Sequence, residues 1–209
     1  MTDWIQELPK AELHLHLEGA VEPETLRELA PHLSLPEIRA QYRYEDFQGF
    51  LASFKWVNEF LTGPDAYALA TRRLLERLEA QNVRYAEIIL SAGVILWMNR
   101  NLAAIFDAVR RESLRSKVEV RWLFDGVRQF GVESVRRVAE LAAERVGDGV
   151  AGIGIGGDEA RGPAPLFAGV YKWAAARGLR LTAHAGETGG SESVRAALAI
   201  GAFVDLGEV

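Results

Sequence analysis

Short apolar runs alternate along the chain with longer stretches in which apolar residues recur at helical spacing. This alternation is typical of parallel β/α architecture, in which each strand is followed by a helix that packs back onto the sheet. The apolar runs predict five strands and leave a sixth open at the end, at residues 11–17, 83–90, 118–125, 150–155, 179–183 and 203–206. The pattern therefore predicts an α/β fold.

The predicted helices differ in length and clarity. A mostly helical insertion at about residues 22–81 separates the first two predicted strands, and the clearest amphipathic helix covers 132–146. Further helices are predicted at 102–116, 163–177 and 191–200. Gly178 is expected to end the second of these, and Ser191 or Ser193 to cap the third.

The number of β/α units favours either a TIM-type (β/α)₈ barrel or a doubly wound open sheet. An eight-stranded barrel usually takes about 250 residues, and the helical insertion uses much of the 209 present here. We therefore expect a single domain over residues 1–209, an incomplete barrel with about five to six of eight strands. The alternatives are an open sheet or a chain that is part of a longer protein.

Composition and charge exclude several classes of protein. The chain contains no cysteine, which removes disulfides, thiolate zinc sites and cysteine nucleophiles. A formal net charge of −5 argues against a nucleic-acid binder. No run of about 18 apolar residues is present, so no membrane span is predicted. The first residues have no basic and apolar signal pattern, so a cytoplasmic location is expected.

The first predicted strand carries two of the four histidines. Polar and apolar residues alternate strictly from Glu12 to Glu18, so His14 and His16 lie on one face of the strand. Two imidazoles about 7 Å apart on one strand suit a metal ion. The alternative is a half-exposed strand whose solvent face carries two histidines, and the local pattern favours neither interpretation.

The ends of two later strands offer further chemistry. His184 stands where the fifth strand is predicted to end, with Glu187 three residues on, and this edge of a parallel sheet is where ligands bind. The pair predicts a metal ligand and a proton shuttle, or else a core histidine beside a surface glutamate. Gly156 and Gly157 allow a flat base to lie against the backbone, or form only a tight turn.

Three motifs together resemble the adenosine deaminase family of the amidohydrolase superfamily. They are LPKAELHLHLEG at residues 8–19, GGDE at 156–159 and HAGE at 184–187, in the family's order and with similar spacing over essentially the whole chain. The resemblance implies a (β/α)₈ barrel of metal-dependent hydrolases with one zinc ion per chain. It also implies an aminohydrolase acting on C–N bonds of cyclic amidines, which removes the 6-amino group of a purine.

The resemblance also assigns roles to residues. His14, His16 and His184 match the zinc ligands, with other divalent metals as alternatives. His16 and Glu18 match the substrate-binding residues on the sugar side, and the backbone N–H of Gly157 matches the group that meets the purine ring. Glu187 matches the catalytic acid that protonates the ring nitrogen. The implied partner is a small purine or nucleoside, and a homo-oligomer stays open.

The substrate side of the pattern departs from many family members. Glu18 stands where many members have aspartate, and glutamate there is found in relatives that act on adenine or modified nucleosides. The segments at 81–87, 90–94 and 128–131 (QNVRYAE, LSAGV and RQFG) resemble the subgroup that deaminates aminofutalosine. We therefore expect a substrate among adenosine, adenine and aminofutalosine.

The end of the chain departs further. The family continues with a His-Gly pair and an Asp-Asp pair, whereas no histidine follows His184 and no Asp-Asp pair occurs here. Glu208 lies near the expected histidine position and does not replace a neutral imidazole. We therefore expect a C-terminally truncated chain with little or no deaminase activity. The alternatives are an inactive fragment or binding relative, or another amidohydrolase acting on a cyclic amide or amidine.

Overall fold

The structure is a computed structural model that describes residues 4–205, and each predicted strand is present within about two residues of its predicted bounds. The strands are β1 (Lys10–His16), β2 (Val83–Leu90), β3 (Glu119–Val127), β4 (Val150–Gly156), β5 (Arg180–His184) and β6 (Phe203–Asp205). The sixth strand is therefore present. Its predicted last residue, Leu206, lies outside the described residues, and so does Glu208.

Helices fill the stretches between the strands, including four between β1 and β2. They are α1 (Trp4–Glu7), α2 (Pro23–Leu29), α3 (Leu35–Gln41), α4 (Phe47–Phe60), α5 (Pro64–Ala80), α6 (Ala92–Trp97), α7 (Leu102–Ser113), α8 (Val132–Ala143), α9 (Ala168–Ala175) and α10 (Gly190–Ala199). Within residues 4–205, every helix is too short or too polar to span a lipid bilayer.

By its internal contacts the chain forms two compact units. The first comprises the described residues up to Ile88 together with Arg100–Val120, and the second comprises Ile89–Asn99 together with the described residues from Arg121 onward. The assignment of a single domain stays a prediction.

In the first unit the helices begin at clear sequence signals and bury apolar faces. Ser34 and Glu37 form a capping box at the start of α3, and the Asp46 side chain accepts the Gly49 N–H at 2.7 Å at the start of α4. Pro64 opens α5, whose buried face packs against α7. Helix α5 also contacts α2, so these helices form one packed group in the first unit.

In the second unit β3, β4, β5 and β6 are parallel neighbours in chain order. The register pairs Asp125 with Gly154 and Ile153 with Leu181. Because the strands are parallel, their carboxyl ends meet at one edge of the sheet. Helix α8 packs on β4 and against α9, covering one face of this sheet.

Two local predictions need correction. The predicted helix at 163–177 begins as a 3₁₀ turn at Ala164–Phe167 and continues as α9, which ends before Gly178 (φ +83°). The prediction that Ser191 or Ser193 caps the last helix is wrong, because Gly189 precedes its first residue and no side chain caps it. The Ser193 hydroxyl lies inside the first turn and donates to Glu159 instead.

Candidate active-site residues

In the first unit, β1 holds His14 and His16 side by side. Their ring centroids lie 5.0 Å apart with planes at 64°, and both side chains are half-buried. Phe54 of α4 contacts His16 edge-on, with 6.4 Å between the ring centroids. The two imidazoles share one face of the strand, as the alternation predicts.

The strand becomes enclosed on both faces toward its end. Glu18 and Leu17, directly after β1, are fully buried, whereas Leu13, nearer its middle, is 62% exposed. Burial raises the pKa of Tyr67 in α5, and the neighbouring Glu18 carboxylate raises it further. His14 and His16 are thus half-buried beside a buried glutamate, and their role as metal ligands stays a prediction.

In the second unit, glycines of β4 make room for side chains of the neighbouring strands. A Cβ on Gly154 would lie 2.9 Å from Thr182 Oγ1 and 3.0 Å from Asp125 Oδ1. A Cβ on Gly156 would lie 3.3 Å from Asp125 Oδ2 and 3.5 Å from His184 Cδ2. The alternating glycines therefore let β3 and β5 bring polar groups together over β4.

Asp125 is a buried carboxyl group that the motifs did not single out. Burial raises its pKa to about 6, while His184 and Arg128 act in the opposite direction. In the sequence it is one of two acidic residues of β3 and follows the apolar residues 122–124. A carboxyl group is rarely buried without partners, but the sequence alone does not show that this one is buried.

Gly157, directly after β4, adopts φ +94°, a conformation that glycine tolerates and other residues rarely adopt. A Cβ here would overlap the Gln129 carboxamide, whose Cδ would be 3.1 Å away. The Gln129 Oε1 atom accepts the Asp158 N–H at 3.1 Å. The turn is therefore packed tightly, and the backbone of Gly157 has no side chain of its own to screen it.

His184 and Glu187 lie together after β5. The His184 Nδ1 atom is 2.8 Å from Glu187 Oε1, and the two side chains are 15% and 16% exposed. The second unit thus brings together the third predicted histidine and the predicted acid, beside the glycines that end β4. Glu187 is thus about as buried as His184 and contacts it, and the roles of the two residues stay predictions.

Two further charged residues surround this loop, and sequence reasoning gave them no role. Arg128 is 1% exposed, and its guanidinium donates to the carbonyl oxygens of Gly162 (3.0 Å) and His184. Glu159 is 4% exposed and accepts hydrogen bonds from the loop after β5. Both residues lie in sequence segments on which the family resemblance rests, but only the fold shows that their side chains contact the same loop.

The class of protein follows from the likeness to solved structures. The chain superimposes on a cog1816 amidohydrolase from Burkholderia ambifaria with bound Zn, with a TM-score of 0.85 and 30% identity over 97% of this chain and 59% of that one. This likeness confirms the predicted fold class, an α/β barrel of metal-dependent hydrolases.

The family is equally clear from the sequence comparisons. The family model for adenosine deaminase matches residues 9–203, so the chain belongs to the adenosine deaminase family. It is 35% identical to an adenine deaminase of Rhizobium leguminosarum bv. trifolii, over 91% of this chain and 62% of that protein. It is 34% identical to an aminodeoxyfutalosine deaminase of Streptomyces avermitilis, over 93% and 58%. The chain spans about three fifths of the length of these relatives.

Proposed function

We propose that this chain carries the metal-binding and purine-binding residues of an enzyme that hydrolyses the 6-amino group from a purine base or nucleoside and releases ammonia. The observation that carries the proposal is the His184–Glu187 contact at 2.8 Å, directly after β5, in a member of the adenosine deaminase family. An imidazole and a carboxylate at this position offer a metal ligand and an acid next to each other.

The histidines fit a zinc ion by the chemistry of their donor atoms. His14, His16 and His184 are half-buried, and each offers one ring nitrogen, a preferred zinc ligand. A ligating histidine usually bonds its other nitrogen to a carboxylate or carbonyl, which is the relation of His184 Nδ1 to Glu187. The bound Zn of the B. ambifaria amidohydrolase supports the choice of metal. When bound, zinc supplies Lewis-acid activation of water for attack on the amine-bearing carbon.

Glu187 is the proposed catalytic acid. One of its oxygens lies at His184 Nδ1, and the other can deliver a proton to the purine ring nitrogen. Protonation of the ring makes the amine-bearing carbon more electrophilic as water adds. The backbone N–H of Gly157 would bind the same ring, in a turn whose φ of +94° leaves no Cβ in the way.

The substrate class follows from Glu18 and His16, which would contact the sugar side of the substrate. Glu18 is fully buried, so its carboxylate is held in place, and it is one methylene longer than the aspartate of many family members. We propose adenine or a modified nucleoside such as aminodeoxyfutalosine rather than adenosine. The names of the two relatives described above support both choices.

The experiment measures zinc and ammonia in the same protein. The chain, His184→Ala and His32→Ala are loaded with zinc, freed of excess metal and analysed by mass spectrometry. The expected result is about one zinc ion in the chain and in His32→Ala, because His32 is an exposed histidine beside Phe60, and less in His184→Ala. Ammonia release from adenine, adenosine and aminodeoxyfutalosine is then followed with protein in excess over substrate.

The outcomes separate the alternatives. Slow ammonia release that falls about 10²–10⁴-fold in Glu187→Gln supports the proposal. Zinc binding with no ammonia from any of the three purines would instead indicate an inactive fragment or a non-catalytic binding protein. Hydrolysis of a cyclic amide or amidine without purine deamination would indicate another amidohydrolase activity. Equal zinc content in His184→Ala and the unchanged chain contradicts the proposed ligand set.

A further inference from the structure

Glu159 lies under the loop that carries Glu187. One of its carboxylate oxygens accepts the N–H groups of Thr188 (2.8 Å) and Gly189 (3.2 Å), and the other accepts the N–H of Gly186 (2.9 Å) and the Ser193 hydroxyl. A single side chain thus binds three backbone amides within four residues. Hydrogen bonds to a carboxylate are about twice as strong as those between neutral groups.

The carboxylate of Glu159 stays ionised over a wide pH range. Burial alone would favour the neutral acid, but the hydrogen bonds from Ser193 and the three backbone amides outweigh burial and lower the pKa of Glu159 to about 2. At neutral pH the loop is therefore bound to a full negative charge.

The loop has little intrinsic preference for its shape. Gly186 adopts φ +91° and Gly190 φ +63°, and glycine occupies many other conformations as readily. On the amino-terminal side of Glu187, the guanidinium of Arg128 holds the carbonyl of His184. The backbone is thus fixed by Arg128 before Glu187 and by Glu159 around it.

We propose that Glu159 is a positioning residue, which holds residues 186–189 so that the Glu187 carboxylate keeps its place beside His184. The inference rests on the proposed function, because the position of Glu187 affects the reaction only if Glu187 is the catalytic acid. Within residues 4–205, Glu159 accepts its hydrogen bonds from backbone amides next to Glu187 and from the hydroxyl groups of Thr188 and Ser193, and none comes from the sheet. A change at Glu159 should therefore affect the reaction by changing the position of the Glu187 carboxylate.

Glu159→Gln tests this with nearly unchanged volume. The amide group keeps one acceptor oxygen, but its NH₂ group then faces donors that the carboxylate had satisfied. A misplacement of about 1 Å at a reacting group reduces turnover by about 10²-fold, so the slow ammonia release measured with protein in excess should fall by that order. The matched control is Glu192→Gln, because Glu192 is an exposed glutamate in the first turn of α10 that forms an ion pair with Arg195 at 3.0 Å.

A binding cycle with hypoxanthine provides a readout besides activity. Calorimetry measures hypoxanthine binding to the zinc-loaded chain, Glu159→Gln, Glu187→Gln and the double variant. Glu159→Gln should weaken binding about tenfold in the chain, the loss of a hydrogen bond to a charged group, and should have no further effect when Glu187 is already glutamine. Equal effects of Glu159→Gln in both backgrounds overturn the positioning role.

Amide hydrogen exchange separates this inference from the proposed function. The N–H groups of Gly186, Thr188 and Gly189 should exchange at least tenfold faster in Glu159→Gln than in the chain or in Glu192→Gln. Unchanged exchange of these amides overturns the inference, whatever the activity. If the unchanged chain neither binds hypoxanthine nor releases ammonia, the proposed function fails, and faster exchange then supports only the contact of Glu159 with the loop.

Discussion

Gly157→Ala tests the turn whose backbone N–H is proposed to bind the purine ring. The residue has φ +94°, and an alanine forced into this region costs about 1–2 kcal/mol. The new Cβ would also overlap the Gln129 carboxamide. That side chain can turn away, but it then loses its hydrogen bond to the Asp158 N–H, which contributes about 1 kcal/mol. The expected loss of unfolding free energy is about 2–3 kcal/mol.

Urea unfolding of four variants separates these two contributions. In a Gln129→Ala background the Cβ meets no carboxamide, so Gly157→Ala should there cost only the backbone strain of about 1–2 kcal/mol. Gly169→Ala is the control and should be neutral or stabilising, since Gly169 lies in α9 and, apart from its neighbours in the helix, no atom of residues 4–205 lies within 4 Å of its Cβ position. If Gly157→Ala unfolds within about 0.5 kcal/mol of the unchanged chain, the account of this turn is wrong.

Three further predictions concern stability. Folding lowers the pKa of Glu159 from 4.5 to about 2, so its ionised form stabilises the chain above pH 4.5. This contribution is lost as the pH falls toward 2. The difference in unfolding free energy between the chain and Glu159→Gln should therefore shrink between pH 4.5 and pH 2. Ser34→Ala removes the capping box formed with Glu37 and should cost about 1 kcal/mol in urea unfolding, with no effect on zinc content. Tyr171→Phe removes the donor that bonds the Thr182 carbonyl at 2.5 Å and should lower the unfolding free energy by about 1 kcal/mol, whereas an unchanged value would refute the contact.

The strands were predictable because their signals are local. β2 has the predicted bounds, Val83–Leu90, since a run of β-branched and apolar residues follows the turn at Asn82 (φ +60°). The cap of α10 was not predictable from the serines. The Ser193 hydroxyl donates a hydrogen bond to Glu159, which lies 34 positions earlier, and no local sequence pattern predicts that contact.

The candidate site also has a part that could be predicted from local sequence patterns and a part that could not. The alternation in β1 placed His14 and His16 on one face, and the turn after β5 predicted that His184 and Glu187 lie close together. Asp125 and Glu159 gave no comparable signal. Their roles depend on glycines in β4 and on amides after β5, which only the parallel register brings near them.

The central claim is that the histidines at the carboxyl ends of β1 and β5 bind one zinc ion. X-ray absorption at the zinc edge of the loaded chain tests this most directly. The claim predicts imidazole nitrogens at about 2.0–2.1 Å, three in the unchanged chain and in His32→Ala, and fewer in His14→Ala, His16→Ala and His184→Ala. A zinc shell of oxygen atoms alone, or one that is the same in all five proteins, would contradict it.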